Sequence, residues 1–183
     1  MFADAAPALA LANSLGATQD VLATPAGVAS WLETVGLGPV SGETALSGPE
    51  LRDLRALVRD ALGAVAEGRE PSPGVLQRLN DVARSVPVVL ELQPSVLEVR
   101  EVPLARSPTA RVLGALVRSA IRLLGSEARA RVRRCPAPGC GRYFLLERAG
   151  RLWCSAGCGN RVRVARHLAR RRDARGSGQG SLP

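Results

Sequence analysis

Cys135-Pro-Ala-Pro-Gly-Cys140, thirteen intervening residues, and then Cys154-Ser-Ala-Gly-Cys158-Gly-Asn-Arg161 form the stretch on which the reading of this chain turns. All four cysteines of the sequence lie in it. Two close pairs of soft ligands meet the tetrahedral demand of zinc at small entropic cost, because each pair closes only a short loop. The Pro-Ala-Pro-Gly insert suits a knuckle, since prolines restrict the unfolded chain and glycine permits a sharp turn. Neither pair has the Cys-x-x-Cys spacing of a redox motif, and clustered cysteines in an otherwise Cys-free chain read as metal ligands before disulfides. Cys135, Cys140, Cys154 and Cys158 are therefore expected to hold one structural Zn2+, with all four positions filled by thiolates and none left for catalysis. Around them, Arg142 to Leu146 and Arg151 to Trp153 are expected to form a small hairpin, with Cys154 and Cys158 at the start of a last helix.

That helix is strongly basic. Val162, Ala165, Leu168 and Ala169 make an apolar stripe expected to pack on the finger, while Arg163, Arg166, His167 and Arg170 share another face. His167, the only histidine, lies nine residues beyond Cys158 and is read as part of the polar face and not as a ligand. Like charges stacked on one helix repel unless an anion neutralises them, and the arginine fork matches phosphate. Asn160, Arg161, Arg163, Arg166, His167, Arg170 and Arg171 are the candidate nucleic-acid contacts. DNA is the expected partner; the alternative is a zinc-stabilised interaction module that binds an acidic protein or RNA.

The charge distribution supports an anionic partner. The chain of 183 residues has 25 arginines and no lysine. Residues 1–110 carry a net −5 and residues 111–183 a net +14, which together give the chain's +9. Segregation of this kind places the anion-binding surface in the C-terminal part.

Upstream of the cysteines the periodicity is mostly helical. Residues 6–15 read as a first helix; a basic n-region is lacking, so a signal peptide is not expected. Thr24-Pro25, Ser47-Gly-Pro-Glu50, Ser72-Pro73 and Ser107-Pro108 are helix starts, and Gly36, Gly68 and Gly125 the matching stops. The helix after Ser47 puts Leu51, Leu54, Leu57, Val58, Ala61, Leu62 and Val65 inward and Arg52, Arg55 and Arg59 toward solvent. The one after Ser107 leaves Arg111, Arg118 and Arg122 as an exposed basic stripe. Between them, Val86–Leu92 and Val96–Val102 are β-branched and alternating, which predicts a half-buried hairpin. The fold class is thus α+β: an α-rich N-terminal domain with a β-hairpin over residues 1–130, a small treble-clef-like zinc finger with its basic helix over 131–175, and a disordered tail over 176–183.

Residues 1–130 contain no His, no Cys, no phosphate-binding glycine loop and no Gly-x-Ser-x-Gly, so no enzyme is expected. Asp53, Asp60 and Asp81 read as solvated helix charges. Asn13 and the Arg52/Arg59 pair read as structural or surface groups, with the lining of a small pocket as the alternative. No run of about 18 apolar residues exists, so no membrane span is expected, and the location predicted is cytoplasmic.

Trp153-Cys154-Ser155, Cys158-Gly159-Asn160-Arg161 and the preceding Arg-Val-Arg-Arg-Cys-Pro-Ala-Pro-Gly-Cys resemble the CGNR zinc-finger family. Leu9-Ala-Leu-Ala-Asn-Ser, Leu22-Ala-Thr-Pro, Ala29-Ser-Trp-Leu and the Leu51–Ala64 helix resemble the ABATE domain that accompanies that finger. The resemblance implies a stress-linked bacterial transcription regulator with the finger as its DNA-binding part. The role expected for the N-terminal domain beside such a finger is sensing, with an unidentified small-molecule effector, or homodimerisation. It also implies the same four ligands, Cys135, Cys140, Cys154 and Cys158.

Overall fold

A computed structural model describes residues 6–16, 19–38, 48–94, 97–147 and 150–176. Among these the chain forms helices α1 (Ala6–Ala12), α2 (Pro25–Thr34), α3 (Gly48–Ala66), α4 (Pro73–Ser85), α5 (Pro108–Gly125) and α6 (Ala156–Gly176), with two antiparallel hairpins. The first pairs β1 (Val88–Leu92) with β2 (Val99–Pro103), and the second pairs β3 (Val132–Arg134) with β4 (Tyr143–Leu145). The α+β class is as expected.

Local capping decides where several helices begin. The hydroxyls of Thr24, Ser72 and Ser107 accept from the backbone N–H three residues on, each ahead of a proline in the first turn. Ser47, the expected cap of α3, lies outside the described residues, as does Val96 of the expected second strand. The first helix ends at Ala12, short of the expected Leu15. Asn13 lies just past its end, with its N–H still bonded to the Leu9 carbonyl at 3.0 Å and its side chain engaged elsewhere, as described below.

α1, α3 and α5 enclose the main core, with α2 and α4 against it: Leu11, Leu22, Leu32, Leu51, Val58, Leu62, Leu79, Leu116, Val117 and Leu123 are all buried there. A buried Ser119 hydroxyl accepts from the N–H of Ala8 at 3.0 Å, joining α5 to the start of α1. Val132, Tyr143 and Leu145 of the second hairpin belong to this same core. A chain cut at residue 130 would therefore leave the core open where these three side chains sit.

Three expectations about surface groups need correction. Arg55 is buried, not solvent-facing: its guanidinium makes two hydrogen bonds of 2.6 Å to Asp20 and one of 3.1 Å to Ser14 Oγ. The hydrogen bonds from Arg55 hold the Asp20 carboxyl below its ordinary value of 3.8. This stabilisation is present above 3.8 and is lost as pH falls below it towards the folded-state value. Asp20→Ala is expected to cost about 2–3 kcal/mol at pH 7, somewhat less than a fully enclosed pair because Asp20 is part-exposed. The cost should shrink in denaturant titrations repeated at progressively more acid pH.

Arg118, placed on an exposed stripe by sequence, is in fact mostly covered. It bonds Glu101 of β2 at 3.1 Å and the carbonyl of Val86 at 3.1 Å, and Arg122 joins the same carboxylate. The first hairpin is thereby pinned at its base. It is not half-buried along its length, however: β1 is exposed beyond Val88.

Candidate metal centre and nucleic-acid interface

The second hairpin differs from the one expected. β4 does not pair with residues 151–153; it turns back on β3, with Val132 opposite Leu145 and Arg134 opposite Tyr143. The knuckle is the loop of this hairpin. Cys135 N–H donates to the Arg142 carbonyl at 2.8 Å, and Cys140 N–H to Ala137 at 2.9 Å. Gly139 has φ +70, the left-handed conformation that the turn before Cys140 requires.

Strand alternation then divides the labour of β4. Tyr143 and Leu145 point into the main core, whereas Phe144 between them packs with Cys135, Ala137 and Cys158 in a second, smaller cluster. Trp153 and Val162 flank that cluster. A Cβ on Gly159 would lie 3.2 Å from the Trp153 ring, which accounts for glycine one residue after the last ligand. Arg151 closes the other side. Its guanidinium stacks 5.0 Å from the Phe144 ring centre and donates to the carbonyl of Cys154 at 2.7 Å.

These elements bring the four sulfurs of Cys135, Cys140, Cys154 and Cys158 within 4.8 Å of one another. A tetrahedral ion with Zn–S bonds of about 2.3 Å sets its sulfurs about 3.8 Å apart. The Cys140–Cys154 and Cys154–Cys158 separations of 3.7 and 3.5 Å fit that geometry and exceed a disulfide bond by far. The donor set of four thiols suits zinc, and these residues hold one structural ion. Backbone and side-chain donors offset the charge of the thiolates: Cys154 N–H points at Cys135 Sγ from 3.5 Å, and Arg161 Nη2 lies 3.1 Å from Cys158 Sγ.

Without the ion the thiols differ in acidity. The Ser155 hydroxyl is the main influence drawing Cys158 down to about 6, while burial pushes Cys154 up to about 12 and raises Cys140. At neutral pH zinc uptake must then displace protons from at least Cys140 and Cys154. Its apparent affinity should weaken by at least about 100-fold for each pH unit of acidification above pH 6, measured by competition with a chromogenic chelator.

Asn13 and Arg59, both on the N-terminal side, fasten the finger in place. The Asn13 amide makes a reciprocal pair with the Tyr143 backbone, donating to its carbonyl and accepting from its N–H, both at 2.8 Å. Arg59 donates to the carbonyls of Ala12 at 2.6 Å and Gly141 at 3.2 Å, with its guanidinium 5.3 Å from the Tyr143 ring centre. Arg52 bonds the carbonyl of Leu22 at 2.7 Å. These residues are structural, although Asn13 also lines a cleft of about 570 Å³ between residues 13–16, Gln19 and Val21 on one side and the finger on the other, together with Arg142, Ser155 and Arg161.

α6 starts at the zinc site and leaves it. Val162 is part-covered, but Ala165, Leu168 and Ala169 are exposed, Leu168 by 51%, so the expected apolar stripe does not pack. A helix of 21 residues is about 31 Å long, more than the small finger can cover. Asn160, Arg163, Arg166, His167, Arg170 and Arg171 are likewise exposed. Among the described residues none of Arg163, Arg166, Arg170 and Arg171 has an acidic partner. Of the candidate contacts only Arg161 is turned to the metal centre.

A family model for ABATE, described as "Putative stress-induced transcription regulator", matches residues 5–127, and the CGNR zinc-finger model matches residues 131–171. The chain belongs to the ABATE family. In this ABATE protein the C-terminal match covers all four cysteines and most of α6. No curated protein matches the sequence. No helix among the described residues is long and apolar enough to cross a membrane.

Sequence reasoning found the four ligands but missed Asn13, Arg59, Tyr143 and Phe144 as the parts that join finger to core. Their signal is non-local: Asn13 and Tyr143 are 130 residues apart.

Proposed function

We infer that this ABATE protein is a zinc-dependent DNA-binding regulator whose α6 contacts the phosphate backbone. The observation that carries this reading is the projecting helix, with Arg163, Arg166, Arg170 and Arg171 exposed and without acidic partners among the described residues, anchored by Cys158 in its first turn and by Cys154 two residues before it. Arginine on a rigid helix presents bidentate donors at fixed spacing, which favours phosphate over a solvated role. The zinc itself takes no part in chemistry, because four thiolates fill its shell.

The triple variant Arg163→Gln, Arg166→Gln, Arg170→Gln tests the assignment. It should keep its zinc and its thermal stability while the dependence of log affinity on log salt flattens by about 2.7 for mixed-sequence duplex. Undiminished duplex binding by this variant would contradict the role of α6. Duplex binding absent from the unmodified chain too, with salt-sensitive capture of an acidic protein, would favour a docking helix instead.

A further inference from the structure

The first hairpin carries apolar groups that the other described residues do not cover. Leu90, Leu92 and Val99 share one face of it, Leu92 opposite Val99, and they are 69%, 64% and 65% exposed. In the turn beyond, Leu97 is 77% exposed and holds φ +53, a conformation that side-chain-bearing residues rarely adopt. Glu101, on the same face, is drawn to Arg118 and Arg122 of α5. The base of the hairpin is therefore anchored and its apolar tip stands free. Contiguous exposed aliphatic groups of this kind mark association surfaces.

The outer edge of β2 specifies the partner. The N–H of Gln93 donates to the Glu98 carbonyl, and that of Leu104 to the Pro87 carbonyl. Alternation along an antiparallel ladder then makes Val89–Val102 and Glu91–Arg100 the hydrogen-bonded pairs, and turns the N–H and C=O of Val99 outward. An antiparallel copy of β2 centred on Val99 would exchange both backbone bonds between the two Val99 residues. In that register Glu98 faces the second copy's Arg100, and Arg100 faces the second copy's Glu98, so the charges are self-complementary. The pairing is isologous, as a two-fold dimer demands.

We propose that the β1–β2 hairpin is a homodimerisation element, joining two copies of this chain edge to edge along β2 and placing their two Val99 side chains side by side, each flanked by its own Leu92. The pairing does not depend on the nucleic-acid reading and can fail or hold independently of it.

Sedimentation equilibrium on the full zinc-loaded chain tests the proposal. The chain should show a concentration-dependent dimer. Val99→Pro should weaken it at least tenfold without loss of any β1–β2 hydrogen bond, because the Val99 N–H faces away from β1. Glu98→Arg places like charges opposite each other and should weaken the dimer by about tenfold, and the triple variant Glu98→Arg, Arg100→Glu, Glu91→Arg, which also reverses the 3.5 Å Glu91–Arg100 pair within the hairpin, should restore most of it. Circular dichroism and melting of each variant separate loss of pairing from loss of fold. A chain that stays monomeric at about 100 µM, where specific dimers of ordinary affinity form, would overturn the proposal and leave the tip to a different protein. So would a dimer indifferent to Val99→Pro, or one that the charge swap fails to rescue.

Discussion

Cys154→Ser is expected to lose zinc to a chelator, dropping from one ion per chain to nearly none, and to melt at least about 10 °C below the parent. The first effect follows from the ligand set. Cys154 lies within 3.7 Å of two of the other sulfurs, so its loss opens the centre of the cluster. The second follows from how the finger is mounted. The metal holds the knuckle that β3 and β4 flank, and those strands place Val132, Tyr143 and Leu145 in the main core. Zinc binding contributes on the order of 10 kcal/mol to the folding of small zinc modules. A loss of only about 3 kcal/mol transmitted to the core suffices for a shift of about 10 °C in a chain of this size. Metal analysis after dialysis and calorimetry check the two effects separately. A variant that loses zinc yet melts like the parent would show that finger and core are uncoupled.

Tyr143→Ala should separate the two effects: a large loss of stability with the zinc retained. The ring is 5% exposed in the main core, lies against the Arg59 guanidinium, and its hydroxyl donates to the Arg59 carbonyl at 3.3 Å. Truncating a buried aromatic costs about 3–5 kcal/mol. Phe144→Ala, one residue along, removes a ring of similar size from the other face of β4 and should chiefly hasten zinc loss, because Phe144 packs on Cys135 and Cys158. Denaturant unfolding and chelator-driven metal release, measured on both variants, should rank them in opposite order. If both variants lose metal equally fast, the division of β4 between two cores is wrong.

The parts legible in the sequence are those set by local chemistry. Thr24, Ser72 and Ser107 announce their helices because a hydroxyl three residues before an N–H and a proline in the first turn are near neighbours in the chain. The cysteine pairs announce the metal for the same reason. β3 was not legible: Val132-Arg133-Arg134 is three residues long, two of them charged, and it becomes a strand only because β4 lies beside it. Arg55 looked like a solvent-facing charge on an amphipathic helix, and its burial depends on a carboxylate 35 residues away. The stripe on α6 has proper helical spacing, yet beyond Val162 none of the described residues covers it, so Ala165, Leu168 and Ala169 are exposed. Periodicity states which face a helix would bury; the surface available to receive it is a tertiary fact.

The most direct test of a zinc-anchored arginine helix that binds DNA is fluorescence anisotropy on mixed-sequence duplex across a salt series, with the intact chain beside Cys154→Ser. Four phosphate contacts from Arg163, Arg166, Arg170 and Arg171 predict log affinity falling linearly with log salt at a slope near −3.6, and a drop in affinity of at least about tenfold in the variant. No binding by the intact chain even at low salt, or equal binding with and without zinc, would contradict the account.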